Sequence, residues 1–420
     1  MKFKAKAISP LKAEVHSLAV LVTEDNWEEE IKEFNQTSGA TLLPYAESDE
    51  FKAKEGQILA FPLPKSAISV LFLVGAGKKG DFGLTTLRRS IAAFGRRIKN
   101  KPTAGVVMTS DLFSKLEMRE CAKTVVEGFV LGTYQFAKYK SGENAEKQVN
   151  TEIQLLIPAS KLQYSVYGIA EGEMYAQATV FSRDLINESP TVTTPSYLAT
   201  IAKSLAKKGE LTVEILEEKD VRKLGMNAFL AVSRGSDEPP KFIKLTYKGG
   251  GKKKIVLAGK AITFDSGGLS LKDAKSMETM KLDMSGAAAL FGVFNILPKL
   301  KPKVTVVGLI AACENMPGAR ATKPGDIVKA LNGKSIEILN TDAEGRLTLA
   351  DVLSYAVREK PDYIIDLATL TGACMVALGE EISGMFVNQT ELKNRLLTAS
   401  YEAGEKLWEL PLEKEYKETL

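Results

Sequence analysis

Short aliphatic and β-branched runs alternate with longer amphipathic segments along this chain, and that alternation restricts the fold more than any other feature. Leu18 to Val22, Ile68 to Val74, Gly105 to Thr109 and Ile153 to Ile157 read as strands, with helices at Leu84 to Ile98 and Leu116 to Tyr134 between them. The pattern predicts an α/β layer of mostly parallel strands. A long helical stretch, about Tyr164 to Leu185, then leads into NESPTVTTPS. There Pro190 and Pro195 mark a boundary and Thr194 is placed to cap a helix beginning near Ser196.

Beyond that boundary the alternation resumes. Strands are expected at Leu211 to Ile215, Phe242 to Tyr247, Lys254 to Ala258, Val304 to Ala312, Ile336 to Leu339 and Tyr363 to Leu367. Helices are expected at Ser196 to Ala206, Gly286 to Leu297 and Leu349 to Arg358. With 420 residues, two cores are affordable. The expectation is an α/β protein of two domains, each a mixed or mostly parallel sheet flanked by helices: an N-terminal domain over 1–160, a linker helix over 161–190 and a second domain over 191–420.

Composition removes several alternatives. A hydrophobic content of 45% with 26% charged residues fits a globular chain rather than a disordered or fibrous one. The longest apolar runs are too short to cross a bilayer. The basic start MKFKAKAISP lacks the apolar core and small-residue site of a secretory signal, so a cytoplasmic protein is expected. Cys121, Cys313 and Cys374 are widely spaced, with no CxxC, which argues against a disulfide framework or a thiolate zinc site. A net charge of +4 does not imply nucleic acid.

The only histidine is His16, before an apolar strand and far in sequence from the carboxylates described next. Ser-His-Asp, Cys-His and HExxH schemes all require histidine. Any metal would therefore be held mainly by oxygen ligands.

Those carboxylates lie in three Gly-containing segments. NTDAEGRL (Asn340 to Leu347) sets Asp342 and Glu344 two residues apart on a turn, GKAITFDSGGLSLK contributes Lys260, Asp265 and Lys272, and KLDMSGAA contributes Asp283. Singly, each has an ordinary reading: a solvated acidic turn, surface lysines, and a capping acid ahead of an Ala-rich helix. Together, four carboxylates point to a pair of divalent ions, which would acidify water and stabilise attacking and leaving oxygens across about 3.5 to 4 Å. KGGGKKK (Lys248 to Lys254) lacks the spacing and following helix of a phosphate loop and reads as a strand connection.

GKAITFDSGGLSLK, MKLDMSGAAA and NTDAEGRL, in this order, resemble the leucyl aminopeptidase family of two-metal cytosolic exopeptidases, as do RDLINESP and ENMPGARATKPGD. The N-terminal part is similar only in length and layout, and by resemblance would be macro-like. The resemblance implies a metal-dependent aminopeptidase preferring leucine and other large apolar N-terminal residues. Asp265 and Glu344 would bridge two metals, manganese or zinc. Lys260 and Asp283 would complete one site, and Asp342, through side chain and carbonyl, the other. Lys272 would be the electrophile and Arg346 would hold bicarbonate as general base, assisted by the backbone at Gly345 and Leu347. Met280, Asn340, Ala343, Thr369, Leu370 and Gly372 would line the substrate pocket. A homohexamer would be expected.

Relatives are expected to continue past LWELPLEKEYKETL, which reads as an amphipathic helix without a Gly or Pro stop signal and leaves the far pocket wall incomplete. Two other functions are weighed. Lys2, Lys4 and Lys6 alternate, and Arg88, Arg89, Arg96 and Arg97 add charge, so a DNA-binding accessory role is the alternative. A dinuclear phosphoesterase would leave Lys260 and Lys272 without a role.

Overall fold

The computed structural model describes residues 1–38, 46, 50–63, 66–141, 150–207 and 209–419. They divide into two compact units, Met1–Val180 with Glu402–Gly404, and Phe181–Tyr401 with Glu405–Leu420.

In the first unit β1 (Lys2–Lys6), β2 (Val15–Val22), β3 (Ile58–Pro62), β4 (Ile68–Gly75), β5 (Thr103–Val107) and β6 (Glu152–Leu156) form one sheet in the order β1-β6-β5-β2-β4-β3. All neighbours are parallel except β3 and β4. The helices are α1 (Trp27–Ser38), α2 (Leu84–Arg97) and α3 (Met118–Gly132), followed by α4 (Leu162–Asn187), inside which the unit boundary falls. On α2, Leu87, Ser90, Ile91 and Phe94 are buried, the one-sided spacing of an amphipathic helix on a sheet. Separate cores pack on the two sheet faces.

His16 lies within β2, where its Nδ1 is 2.9 Å from Ser17 Oγ; burial, then the nearby Lys101 charge, lower its pKa. Of the seven basic residues singled out in this unit, three are paired with carboxylates: Lys4 with Glu152 (2.6 Å), Arg88 with Glu127 (2.8 Å) and Arg89 with Glu55 (3.4 Å).

The second unit holds α5 (Pro195–Ala206), β7 (Leu211–Glu217), α6 (Glu218–Leu224), α7 (Asn227–Ser233), β8 (Lys241–Lys248), β9 (Lys254–Asp265), α8 (Ala274–Met277), α9 (Ser285–Leu300) and β10 (Thr305–Asn315). After these come β11 (Asp326–Lys329), β12 (Ser335–Ile338), α10 (Glu344–Arg358), β13 (Tyr363–Leu367), α11 (Ala373–Leu378), β14 (Ser383–Met385), α12 (Thr390–Ala403) and β15 (Leu407–Glu409). The Thr194 side chain caps α5, accepting from Tyr197 N, with Pro195 in the first turn.

The main sheet runs β13-β9-β10-β8-β7. β13, β9 and β10 are parallel, whereas β8 and β7 add on antiparallel, so this sheet is mixed. One face packs on a core with α7 and α10, the other on a core with α5 and α9. KGGGKKK spans the connection from β8 to β9.

The sequence expectation for LWELPLEKEYKETL is corrected. Leu407–Glu409 is a strand paired with β14, and a 3-10 turn, Lys414–Thr419, follows. Pro411 explains this: it lacks an N–H and biases the residue before it to extended backbone. Among the described residues, no helix is long and apolar enough to cross a membrane.

Candidate metal centre

Strand β9 delivers two ionisable residues to one end of the sheet. Lys260, Ile262 and the alternate residues before them share a face, by the two-residue period of a strand. Asp265, five positions on, would point to the opposite face if the ladder were regular. It is not regular. Ile262 pairs with Cys313 but Asp265 pairs with Asn315, so β9 carries one extra residue in a bulge. The bulge resets the alternation and brings Asp265 to the side of Lys260, a known use of bulges next to functional sites.

After Asp265 the chain reverses through Gly267 and Gly268, at φ +87° and +65°, where a side chain would be strained. That reversal folds Lys272 back, its backbone N–H donating to Ser266 O at 3.0 Å. Lys272 Nζ then lies 3.0 Å from Asp265 Oδ2 and 2.6 Å from Asp342 Oδ1.

Lys260 is 3% exposed. Its Nζ donates to Asp283 Oδ1 at 2.8 Å and Thr369 O at 2.9 Å, and lies 2.9 Å from Glu344 Oε1. Asp283 also accepts from Thr369 Oγ1 at 2.8 Å. It does not cap α9, whose N-cap is Met284 without a side-chain bond, so the capping reading does not hold. Glu344 is the first residue of α10 rather than part of the preceding turn, a position where a helix favours negative charge. At Gly345 a Cβ would sit 2.6 Å from Lys260 Cε, so a side chain there would displace the lysine.

Four carboxylates thus surround two ammonium groups, and three of the four, Asp265, Asp283 and Glu344, are almost fully buried. Excess negative charge in a dry site is costly, and the titrations follow. Burial pushes Asp283 up to about 7 against the opposing pull of Lys260. Burial also raises Glu344, with Lys260 opposing and Asp265 reinforcing the shift. For Lys260 and Lys272, burial disfavours the charge, but the adjacent carboxylates outweigh it and hold both ammonium groups above the usual lysine value.

The buried Glu344 Oε2 has no hydrogen-bond partner, and Asp283 Oδ2 and Asp342 Oδ1 face their lysines without hydrogen-bond alignment. Asp265, Asp342 and Glu344 each bring a carboxylate oxygen within 4.8 Å of the other two. Unsatisfied oxygens, net negative charge and converging carboxylates together fit divalent cations of the oxygen-preferring kind.

Lys260, Asp265, Lys272, Asp283, Asp342, Glu344 and Thr369 are therefore in one cluster. Met280 is half-buried on the 3-10 turn just before Asp283, and Asn340 and Ala343 belong to the Asp342 turn, with Asn340 Oδ1 accepting from Asp342 N at 2.9 Å. Leu370 and Gly372 are exposed beyond Thr369. Arg346 is exposed on α10 and makes no hydrogen bond or ion pair among the described residues, while Gly345 and Leu347 beside it are buried.

Sequence reading passed over Asn315 and Thr341. Asn315 Nδ2 donates to Asp265 Oδ1 at 2.8 Å and Thr341 O at 3.0 Å, and Thr341 Oγ1 donates to Gly267 O at 2.7 Å. The available signal was the position of Asn315 at a strand end, in ENMPGARATKPGD.

Residues 180–420 match the cytosol aminopeptidase family, catalytic domain, and residues 19–143 match its N-terminal domain. A probable cytosol aminopeptidase from Aquifex aeolicus (strain VF5) is 45% identical over 372 residues, 88% of this chain and 74% of the relative. Among solved structures, a mutant of tomato leucine aminopeptidase aligns with a TM-score of 0.90 at 32% identity, over 100% of this chain and 83% of its own. The bottromycin maturation enzyme BotP in complex with Mn aligns at 0.83 and 33% identity, over 97% of this chain and 84% of its own.

Proposed function

Because the chain belongs to the cytosol aminopeptidase family, and is thereby a metal-dependent aminopeptidase, we propose that it removes N-terminal residues, large apolar ones foremost, from peptides with two divalent ions per subunit. The observation that carries the two-ion reading is the cluster of four carboxylates, three of them buried, in which Glu344 Oε2 has no partner.

Lys260, Asp265, Asp283, Asp342 and Glu344 would hold the ions, with Asp265 and Glu344 shared. Sharing is supported at Glu344, which contacts Lys260 through Oε1 and belongs with Asp265 and Asp342 in the converging triad. When bound, such ions supply Lewis acidity, acidifying water and polarising a peptide carbonyl. Lys260 can donate a lone pair only after losing its proton, so loading releases protons. Manganese and zinc both suit oxygens plus one amine.

Lys272 would place its ammonium against the carbonyl oxygen as negative charge develops there. Arg346 presents a free planar fork suited to bicarbonate, with the Gly345 and Leu347 backbone beside it. Bicarbonate would serve as general base, a task for which the second unit has no histidine. The half-buried Met280 and Ala343, with Thr369, Leu370, Gly372 and Asn340, would receive the substrate side chain. We further propose a cytoplasmic homohexamer.

Hydrolysis of leucyl amide, with chelation and then manganese or zinc add-back, tests this reading. Activity should vanish on chelation, return with metal, and favour leucine over charged residues. Inactivity with metal present would overturn the peptidase assignment, and equal cleavage of N-acetylated peptides would overturn the requirement for a free N-terminus. Sedimentation tests the hexamer.

A further inference from the structure

We propose that Asn315 is a positioning residue that fixes the metal-holding orientation of Asp265 and ties it to the turn carrying Asp342; this rests on the metal-centre reading above. The two segments come from distant parts of the sequence, and the first reverses through Gly267 and Gly268. A carboxylate holds a cation well only if its own rotation is arrested by groups behind it.

Asn315 is 4% exposed and ends β10 opposite the bulge of β9, so the irregularity that turns Asp265 inward also places it beside this amide. Both hydrogens of the amide are used, one on Asp265 Oδ1 at 2.8 Å and one on Thr341 O at 3.0 Å. Both acceptors require a donor, which fixes the amide orientation. Gly267 N donates to the same Asp265 oxygen at 2.9 Å, so Oδ1 is held from behind while Oδ2 faces the cluster.

The Asn315 backbone continues the clamp. Its carbonyl accepts from Ser266 N at 3.0 Å and Ser266 Oγ at 2.7 Å, pinning the first residue of the reversal after Asp265. On the other side, Thr341, whose carbonyl Asn315 holds, accepts from Ser270 N at 2.8 Å and donates to Gly267 O at 2.7 Å. One residue thus joins the Asp265 reversal to the Asp342 turn. An apolar isostere of Asn315 would leave Asp265 Oδ1 held from behind by the Gly267 N–H alone, and would untie it from the Thr341 carbonyl.

The test measures Mn²⁺ binding by equilibrium dialysis, together with kcat, KM and metal-free melting, for the unmodified chain, Asn315→Leu, Asn315→Ser and Asp265→Ala. Asn315→Leu is expected to weaken Mn²⁺ binding about 10- to 100-fold, the range typical of partners behind a ligand. Asn315→Ser, which keeps one donor, should fall between it and the unmodified chain. It also carries the test should the leucine variant fail to fold. In either variant, raising Mn²⁺ should recover much of kcat with KM for leucyl amide little changed. A lowered melting temperature with unchanged Mn²⁺ affinity would reduce Asn315 to a structural role and overturn the inference. If the unmodified chain binds no Mn²⁺, or Asp265→Ala binds equally well, the metal-centre reading itself fails instead.

Discussion

Helix α10 buries two carboxylates about two turns apart, Glu344 at its first residue and Asp351 at its middle. Asp351 is 0% exposed and Glu344 2%. Burial raises the pKa of both, so titration alone does not separate them. Their partners do. Asp351 Oδ2 accepts from Phe229 N at 2.9 Å, in the first turn of α7, and Oδ1 from Leu331 N at 2.7 Å, so both oxygens are satisfied by rigid backbone. Glu344 shares one lysine with Asp283 and leaves Oε2 without a partner. A buried carboxylate with both oxygens answered holds the fold together, whereas one left partly unanswered is poised for a cation.

Glu344→Gln should break the contrast most sharply. It is expected to lower kcat about a thousandfold, equivalent to roughly 4 kcal/mol, by weakening metal retention. Metal-free melting should hold or rise, since a buried unbalanced charge is gone. A variant that keeps activity would place Glu344 with Asp351 as a structural acid.

Next in size, Lys272→Ala should cost about 100- to 1,000-fold in kcat while retaining metal, because its ammonium serves the developing charge. Metal analysis showing an empty centre in this variant would contradict that role.

At the middle of the helix, Asp351→Ala strands two buried N–H groups and should cost about 2 to 4 kcal/mol in chemical denaturation. The remaining folded protein should bind Mn²⁺ as the unmodified chain does. Lost metal affinity would join the two carboxylates functionally.

A subtler test is pH. Asp283 titrates near 7 when folded, against 3.8 ordinarily, so the folded state binds more protons between those values. Stability of the metal-free protein from this group is therefore full at low pH and declines as pH rises towards about 7. Glu344, also raised, acts in the same direction. Scanning calorimetry should show this decline, and stabilisation by Mn²⁺ should grow over the same interval because binding needs the deprotonated carboxylates. A melting temperature that climbs through this window in the metal-free protein would contradict the scheme.

Much of the α/β plan could be read in advance. Largely buried parallel strands such as β2 and β4 are near-continuous apolar runs, and α2 shows a clear helical period. Seven-residue helices such as α6 and α7 and three-residue strands such as β14 and β15 escaped, because a period cannot be recognised in so short a window. The C-terminal LWELPLEKEY was misread because its amphipathic spacing outweighed Pro411, whose backbone constraint prevailed.

The sequence alone determined the chemical inventory. It set carboxylates and lysines in Gly-containing segments, supplied a lone histidine outside the catalytic unit, and carried segments specific enough to identify a family. Tertiary structure decided which of these residues meet. A strand's alternation is local, but the β9 bulge that puts Lys260 and Asp265 on one side is set by pairing with β10, some 50 residues away. Burial likewise depends on what packs over a residue. That is why Glu344 and Asp351, indistinguishable as acids on one helix, differ only when the atoms around them are known.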